Sequence, residues 1–264
     1  MKRYFMNSLR LLVTLGLALL VAACSAGTAV DHGTPYRVVA EFPHDTSAFT
    51  QGLLFHAGDL YESTGLYGRS TLRQVNLDDG RVRRQHNLDR RLFGEGLALV
   101  GDRLIQLTWK ENIALVYRLA DFKPIGQFEY AGEGWGLAYD GRWLVMSDGS
   151  DTLRYRDVDN FTVLRELRVT DDGRPVRRLN ELTVIGNEIW ANILGSDRVA
   201  RIDPVSGVVL SWLDLSPLRK QGGDWRRAAD LNGIAWDPEE RRIFATGKLW
   251  PVLYELQVDG VGGE

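Results

Sequence analysis

The stretch Phe93–Trp109, FGEGLALVGDRLIQLTW, reads as a glycine turn, a short apolar strand, a Gly-Asp turn and a second strand. The same pattern recurs in QGLLFHAGDLYESTG from Gln51, WGLAYDGRWLVMSDG from Trp135, NELTVIGNEIWANIL from Asn180 and NGIAWDPEERRIFATGK from Asn232. The opening residues 51, 95, 135, 180 and 232 are 44, 40, 45 and 52 apart, with two extra turn residues in the last copy. A repeat of that length, each copy holding enough chain for four strands, is the period of a propeller blade. Few other architectures satisfy it.

The third unit shows all four strands: Leu137–Tyr139, Trp143–Ser147, Thr152–Asp157 and an alternating outer strand over Thr162–Val169. Turn residues fall where strand three must turn into strand four, as in Asp78-Asp79-Gly80, Asp121-Phe122-Lys123-Pro124 and Asp203-Pro204-Val205-Ser206-Gly207. The fifth unit offers only Gly233–Trp236, Arg242–Ala245 and Val252–Gln257. A spare strand, Tyr36–Phe42, precedes the first unit and belongs to none. Pairing it beside Val252–Gln257 closes the ring and removes two sheet edges. The expectation is an all-β, five-bladed β-propeller over 35–260, with N- and C-terminal strands sharing one blade. Leu215–Leu231 lengthens the last interval and is expected to hold a short helix or a lid.

The first 23 residues read differently. Lys2, Arg3 and Arg10 precede an apolar run, Leu11–Ala23, too short to span a bilayer comfortably. Val21-Ala22-Ala23-Cys24 resembles the lipobox of bacterial lipoproteins, in which the cysteine becomes the lipidated N-terminus. The expectation is a signal peptide over 1–23, a lipidated Cys24 with a flexible tether over 24–34, and a periplasmic, membrane-anchored protein. Ser25 follows the cysteine in place of an aspartate that would resemble an inner-membrane retention signal, which favours the outer membrane. Cys24 is the only cysteine, so no disulfide forms within the chain. Without the leader the 32 cations fall to 29 against 35 acids, a net charge of −6. With no basic stripe, nucleic acid is excluded as a partner.

Innermost strands of a propeller line a central tunnel, so equivalent residues form a ring at one end of it. The opening residues Gln51, Glu95, Trp135, Asn180 and Asn232 are that ring. Glycine follows four of them, and Glu181 follows Asn180. The third position is always apolar: Leu53, Leu97, Leu137, Leu182 and Ile234. A constant scaffold carrying varied hydrogen-bonding heads describes a binding site, although such groups also suit mutual satisfaction and tunnel water. Phe49, Phe93, Trp109, Trp190 and Lys248 are expected to reach the same rim. Trp109 lies 14 residues after Glu95, and Lys248 is equivalent once the longer turn is allowed for. No zinc spacing, HExxH, GxSxG or GxxxxGK[ST] occurs. One carboxylate, amides, a lysine and an aromatic wall remain.

The chain resembles the plant-type glutaminyl cyclases and their bacterial members. FTQGL at Phe49–Leu53, FGEGL at Phe93–Leu97, LTW at Leu107–Trp109 and GEGWGL at Gly132–Leu137 carry the resemblance. LNEL at Leu179–Leu182, IWAN at Ile189–Asn192, LNGIAWD at Leu231–Asp237 and TGKLWP at Thr246–Pro251 continue it. It implies conversion of a peptide's N-terminal glutamine into pyroglutamate with release of ammonia; no cofactor is expected, and the missing zinc spacing with a single ring carboxylate leads to an expectation of metal-independent catalysis. It sets Gln51, Glu95, Trp109, Trp135, Asn180, Trp190 and Lys248 in the site, walled by Phe49 and Phe93. In that reaction the substrate's own amine is the nucleophile, so the protein must orient it and move a proton. Glu95 is the natural carrier and Lys248 the second candidate. Gln51, Asn180 and Lys248 would hold the carboxamide, and Trp109, Trp135 and Trp190 would clamp the stem. Expected partners are Gln-initiated peptides or proteins, with a monomeric enzyme touching membrane only through its lipid. Two rivals stand beside this reading. A gluconolactonase-like hydrolase would hold calcium on Glu95, Asn180, Asn232 and Asp148, although one ring carboxylate is poor provision for it. A non-catalytic periplasmic propeller would bind a partner at the rim or on its charged outer strands.

Overall fold

The first strands of the five repeats pack side by side in a closed circle, each against the next and the fifth against the first. This computed structural model describes residues 33–219 and 230–261, together with Met1. Cys24, the leader, most of the tether and Lys220–Ala229 of the stretch expected as a helix or lid lie outside the described residues. Within the described part of that stretch Ser216–Arg219 is a single helical turn and Leu231 opens the first strand of blade 5.

Each repeat is a four-stranded antiparallel sheet running outward from the axis. Blade 1 contains Thr50–His56, Asp59–Thr64, Thr71–Asn76 and Val82–Asn87. Blade 2 contains Gly94–Val100, Arg103–Thr108, Ile113–Arg118 and Pro124–Glu129. Blade 3 contains Leu137–Tyr139, Leu144–Met146, Thr152–Arg156 and Val163–Arg168. Blade 4 contains Leu179–Ile185, Glu188–Ile193, Arg198–Ile202 and Val209–Asp214. Blade 5 contains Leu231–Asp237, Arg242–Gly247 and Val252–Val258, and its outer strand is Tyr36–Pro43 from the other end of the sequence. The fold is therefore the five-bladed propeller that the repeats imply. The closing strand is antiparallel to Val252–Val258, with Pro43 opposite Val252 and Tyr36 opposite Val258. The blade is thus entered and left at the ends of these strands far from Asn232.

Apolar burial sits between blades rather than along the axis. The third-position residues Leu53, Leu97, Leu137, Leu182 and Ile234 are at most 3% exposed and wedge each first strand against its neighbours. Above them the ladder is interrupted in blades 1, 2, 4 and 5. Pairing slips between Thr50 and Gly52, Gly94 and Leu97, Leu179 and Leu182, and Leu231 and Ile234. These are β-bulges, which re-aim side chains and leave backbone groups unpaired. Gln51, Glu95, Asn180 and Asn232 lie in them, so the bulges aim the polar heads. The amides freed below are satisfied by side chains from other blades. Glu181, standing where the other repeats have glycine, accepts from the Leu53 and Ile234 amides, and Asn192 Oδ1 accepts from Gly233 N. Burial pushes the Glu181 carboxyl well above the usual range, against the pull of those two amides.

A buried polar cluster joins the closing strand to blade 1. His44 Nδ1–H donates to the Trp250 carbonyl at 2.7 Å, and Nε2 meets Glu62 Oε1 at 3.2 Å. Thr50 donates to the same carboxylate at 2.7 Å, and Arg73 Nη1 lies 3.9 Å from its other oxygen. A histidine that donates from both nitrogens is an imidazolium. Burial pushes its pKa down, but the hydrogen bond and charge of Glu62 with the Trp250 carbonyl outweigh that and leave it raised. Burial likewise pushes Glu62 up, and His44, Arg73 and Thr50 leave it lowered. His44 therefore adds stability that is complete below its ordinary value of 6.5 and is lost as pH rises through the raised folded value. Glu62 adds stability above its ordinary 4.5, lost as pH falls through its lowered value. Between about pH 6 and about pH 9 the melting temperature should fall further in the parent than in His44→Gln. Parallel pH profiles of the two proteins, followed by circular dichroism, would remove His44 as the cause.

Candidate active site

Four short sequences place the bulges, and three of the four bulged polar heads line one pocket. At the ring end of the channel is a cavity of 160 Å³ lined by Gln51, Phe93, Glu95, Trp109, Trp135, Asn180, Leu194 and Lys248. Four of the five repeat-opening residues are in that wall. The fifth, Asn232, is fully buried behind it. Gln51 Nε2 donates to Glu95 Oε1 at 2.9 Å. Phe93 packs edge-on against Trp109 at 5.5 Å between ring centroids. Phe49 stands behind the wall, its ring 5.1 Å from Lys248 Nζ and 6.3 Å from Phe93.

Room for the aromatic wall comes from two glycines at equivalent strand ends. A Cβ on Gly65 would sit 2.3 Å from the Phe93 ring, and one on Gly149 would sit 2.6 Å from the Trp135 ring. Gly149 also has φ +80°, a conformation side chains resist.

Electrostatics oppose one another inside the cavity. Glu95 is 4% exposed, and loss of water pushes its pKa well above the carboxylate range. Lys248 pulls it back, while Glu133 and Glu111 add to the rise. Burial pushes Lys248 down, against the charges of Glu95 and Asp230. A carboxyl that resists ionising and an amine that resists protonation face one chamber, an arrangement suited to moving protons near neutral pH.

This architecture has known relatives. Residues 11–258 match the family described as Glutamine cyclotransferase. A glutaminyl-peptide cyclotransferase of Arabidopsis thaliana is 43% identical over 278 aligned residues, covering 97% of this chain and 86% of the relative. The crystal structure of Myxococcus xanthus glutaminyl cyclase superposes with a TM-score of 0.80 at 39% identity, over 87% of this chain and 98% of that one. The chain belongs to the glutamine cyclotransferase family.

Within this cyclotransferase scaffold, seven of the nine candidate residues line the cavity, Phe49 stands behind its wall, and Trp190 lies elsewhere. Trp190 is fully buried in the blade 4–blade 5 core with Ile185, Val199, Leu213 and Trp250. Its indole N–H donates to Glu188, and Arg201 covers its ring. It lies opposite Thr183 in mid-sheet. The residue 14 after Asn180 is Leu194, and Leu194 lines the cavity. The spacing that finds Trp109 and Lys248 therefore finds Leu194, and the indole four residues earlier is a core residue. Asp148 is held by Arg154 and by the amide of Ser150. Among the described residues no group of three or more His, Cys, Asp or Glu is placed to hold a metal ion.

Glu133, the acid of GEGWGL, is the residue that motif matching does not interpret. Its Oε2 accepts from the Trp109 indole at 2.8 Å and from the Trp135 indole at 3.0 Å. Lys110 lies 3.8 Å over the Trp109 ring and 3.8 Å from Glu133 Oε1. One half-exposed carboxylate thus ties two walls of the cavity together. Hydrogen bonds to a charged group contribute about 1.5–3 kcal/mol each when dry and less at such a rim. Glu133→Ala should raise KM about tenfold with kcat changed little. Glu133→Gln keeps an acceptor oxygen and should recover most of the loss. A KM unchanged in Glu133→Ala would show that packing alone holds the indoles.

Proposed function

We infer that the protein is a glutaminyl-peptide cyclotransferase, converting the N-terminal glutamine of peptides or proteins into pyroglutamate and ammonia. The observation that carries this reading is a buried carboxyl, held by an amide and faced by a lysine, at the floor of an indole-walled pocket in a member of that family. The pocket takes a side chain's length of substrate.

The neutral α-amine, whose ordinary pKa is about 7.7–8.0, attacks the γ-carboxamide carbon and forms the ring C–N bond. The carbonyl oxygen becomes an oxyanion, and Lys248 is the donor placed to meet it. Glu95 takes the surplus proton from the attacking nitrogen and delivers it to the departing one. The C–NH₂ bond then breaks and ammonia leaves. Gln51 is already committed to Glu95, so its part is to hold the proton carrier. Trp109 and Trp135 shut out water along the aliphatic stem. Ammonia release from a Gln-initiated peptide, with mass spectrometry of the cyclised product, tests the reading. No pyroglutamate at any pH from about 6 to about 9 would overturn it.

We propose also that 1–23 is cleaved before a lipidated Cys24, tethering the enzyme on the periplasmic side, on the outer membrane. The lipobox-like Val21-Ala22-Ala23-Cys24 and the Ser25 after it support this. Mass spectrometry of the mature protein should find a diacylglycerol-bearing Cys24. An unmodified N-terminus elsewhere would remove the proposal.

A further inference from the structure

Asn232 touches no open part of the cavity, yet it joins the polar residues that do. Its Oδ1 accepts from Asn180 Nδ2 at 2.8 Å. Its Nδ2 donates to the Thr50 main-chain carbonyl at 2.9 Å and to Gln51 Oε1 at 3.2 Å. Gln51 Nε2 then donates to Glu95 Oε1 at 2.9 Å. The result is one chain of donors, Asn180 to Asn232 to Gln51 to Glu95, passing through blades 4, 5, 1 and 2 in turn. Trp135 of blade 3 stands outside it, its indole committed to Glu133.

A chain of amides has two possible directions, because each amide can turn over and exchange its oxygen and nitrogen. Here one link cannot reverse. The Thr50 carbonyl only accepts, so the Asn232 nitrogen must face it. With Asn232 so fixed, Gln51 must turn its oxygen toward Asn232 and its nitrogen toward Glu95. Turning Gln51 over would oppose oxygen to carboxylate at one end and N–H to N–H at the other. Asn180 is fixed in the same way, its nitrogen spent on Asn232 and its oxygen left for the cavity it lines.

We propose that Asn232 is a positioning residue that sets the direction of this chain, so that Glu95 always meets an N–H and Asn180 always presents an oxygen to the substrate. The first consequence concerns Glu95 itself. Burial opposes its ionisation, as do Glu133 and Glu111, while Lys248 favours it. The Gln51 N–H adds a donor on the favourable side, and Asn232 keeps it there. The second consequence rests on the cyclotransferase reading: an oxygen at Asn180 accepts from the NH₂ of a γ-carboxamide and repels a γ-carboxylate, so it selects glutamine over glutamate.

The test reads Glu95 directly, without turnover. Protein carrying ¹³C at glutamate δ-carbons is titrated by NMR, with the Glu95 signal assigned from its loss in Glu95→Gln. In Asn232→Ala the Glu95 midpoint should rise by about one pH unit or more. In Asn180→Ala it should stay within about 0.3 unit, because the direction of the remaining links is set downstream at Thr50. If Asn232→Ala does not fold, Asn232→Thr serves: its single hydroxyl proton goes to the Thr50 carbonyl, leaving only lone pairs toward Gln51. A Glu95 midpoint unmoved in a folded Asn232 variant, or moved equally by Asn180→Ala, overturns the proposal. Because the titration involves no substrate, its outcome is separate from whether the protein cyclises glutamine.

Discussion

Glu95→Gln is expected to lower turnover on a Gln-initiated peptide by about 10²–10⁴-fold, a barrier increase of roughly 3–5 kcal/mol. The variant keeps the oxygen that accepts from Gln51, so the amide chain behind the pocket survives. What it loses is the capacity to take a proton from one nitrogen and give it to another. KM should therefore change much less than kcat. Stability should move in the opposite direction to activity. A carboxyl with a raised folded pKa binds more protons in the native state than in the unfolded one between about pH 4.5 and that raised value, so it costs stability as pH rises through this window. Removing it should leave the melting temperature at neutral pH equal to or above that of the parent. Lys248 would lose the charge that holds its own pKa up and become more often neutral. Cyclisation near the parent rate in Glu95→Gln would transfer the proton-carrying role to that lysine.

The second large effect concerns the ring closure. Deleting Gly33–Pro43 should abolish a single cooperative melting transition. The deletion strips the pairing of Val252–Val258 and exposes a long sheet edge to other chains. It also uncovers Leu253, Tyr254 and Leu256, each at most 3% exposed, and removes the Phe42–Phe244 contact at 6.2 Å. His44 remains, but its tie to Glu62 then starts from a loose end. Paired hydrogen bonds at about 1 kcal/mol net each and that apolar area together rival the roughly 5–15 kcal/mol by which a domain is stable. A truncated protein that melts sharply at the parent temperature would show that three strands suffice for the fifth blade.

Architecture was legible because it is repeated. Five hairpins with the same turn chemistry set the blade number, and a spare strand before the first unit with a fifth unit one strand short set the closure. Glu95, Trp109 and Lys248 were legible for the same reason, since their place in the repeat predicts their place on the rim. Trp190 shows where residue chemistry misleads: an indole near a strand end invites a pocket role, while the repeat count points to Leu194. Glu133 and Asn232 were visible as letters of their motifs, but their hydrogen bonds run to other blades or across a turn, and no periodicity encodes those. Glu181 was visible as a break in the glycine pattern. That it spans the channel to the amides of blades 1 and 5 depends on the bulges, which only the folded sheet reveals.

The direction of the closing strand has a practical corollary. Tyr36 and Val258 face one another at the end of blade 5 remote from Asn232 and the pocket mouth. The closing strand pair therefore begins and ends on the side of blade 5 away from the pocket. A reporter domain joined directly before Tyr36 or after Val258 would start on the side away from the indoles and leave the pocket mouth clear. For a catalyst whose target is the tip of another polypeptide, that clearance decides whether the target can be a folded protein as well as a short peptide.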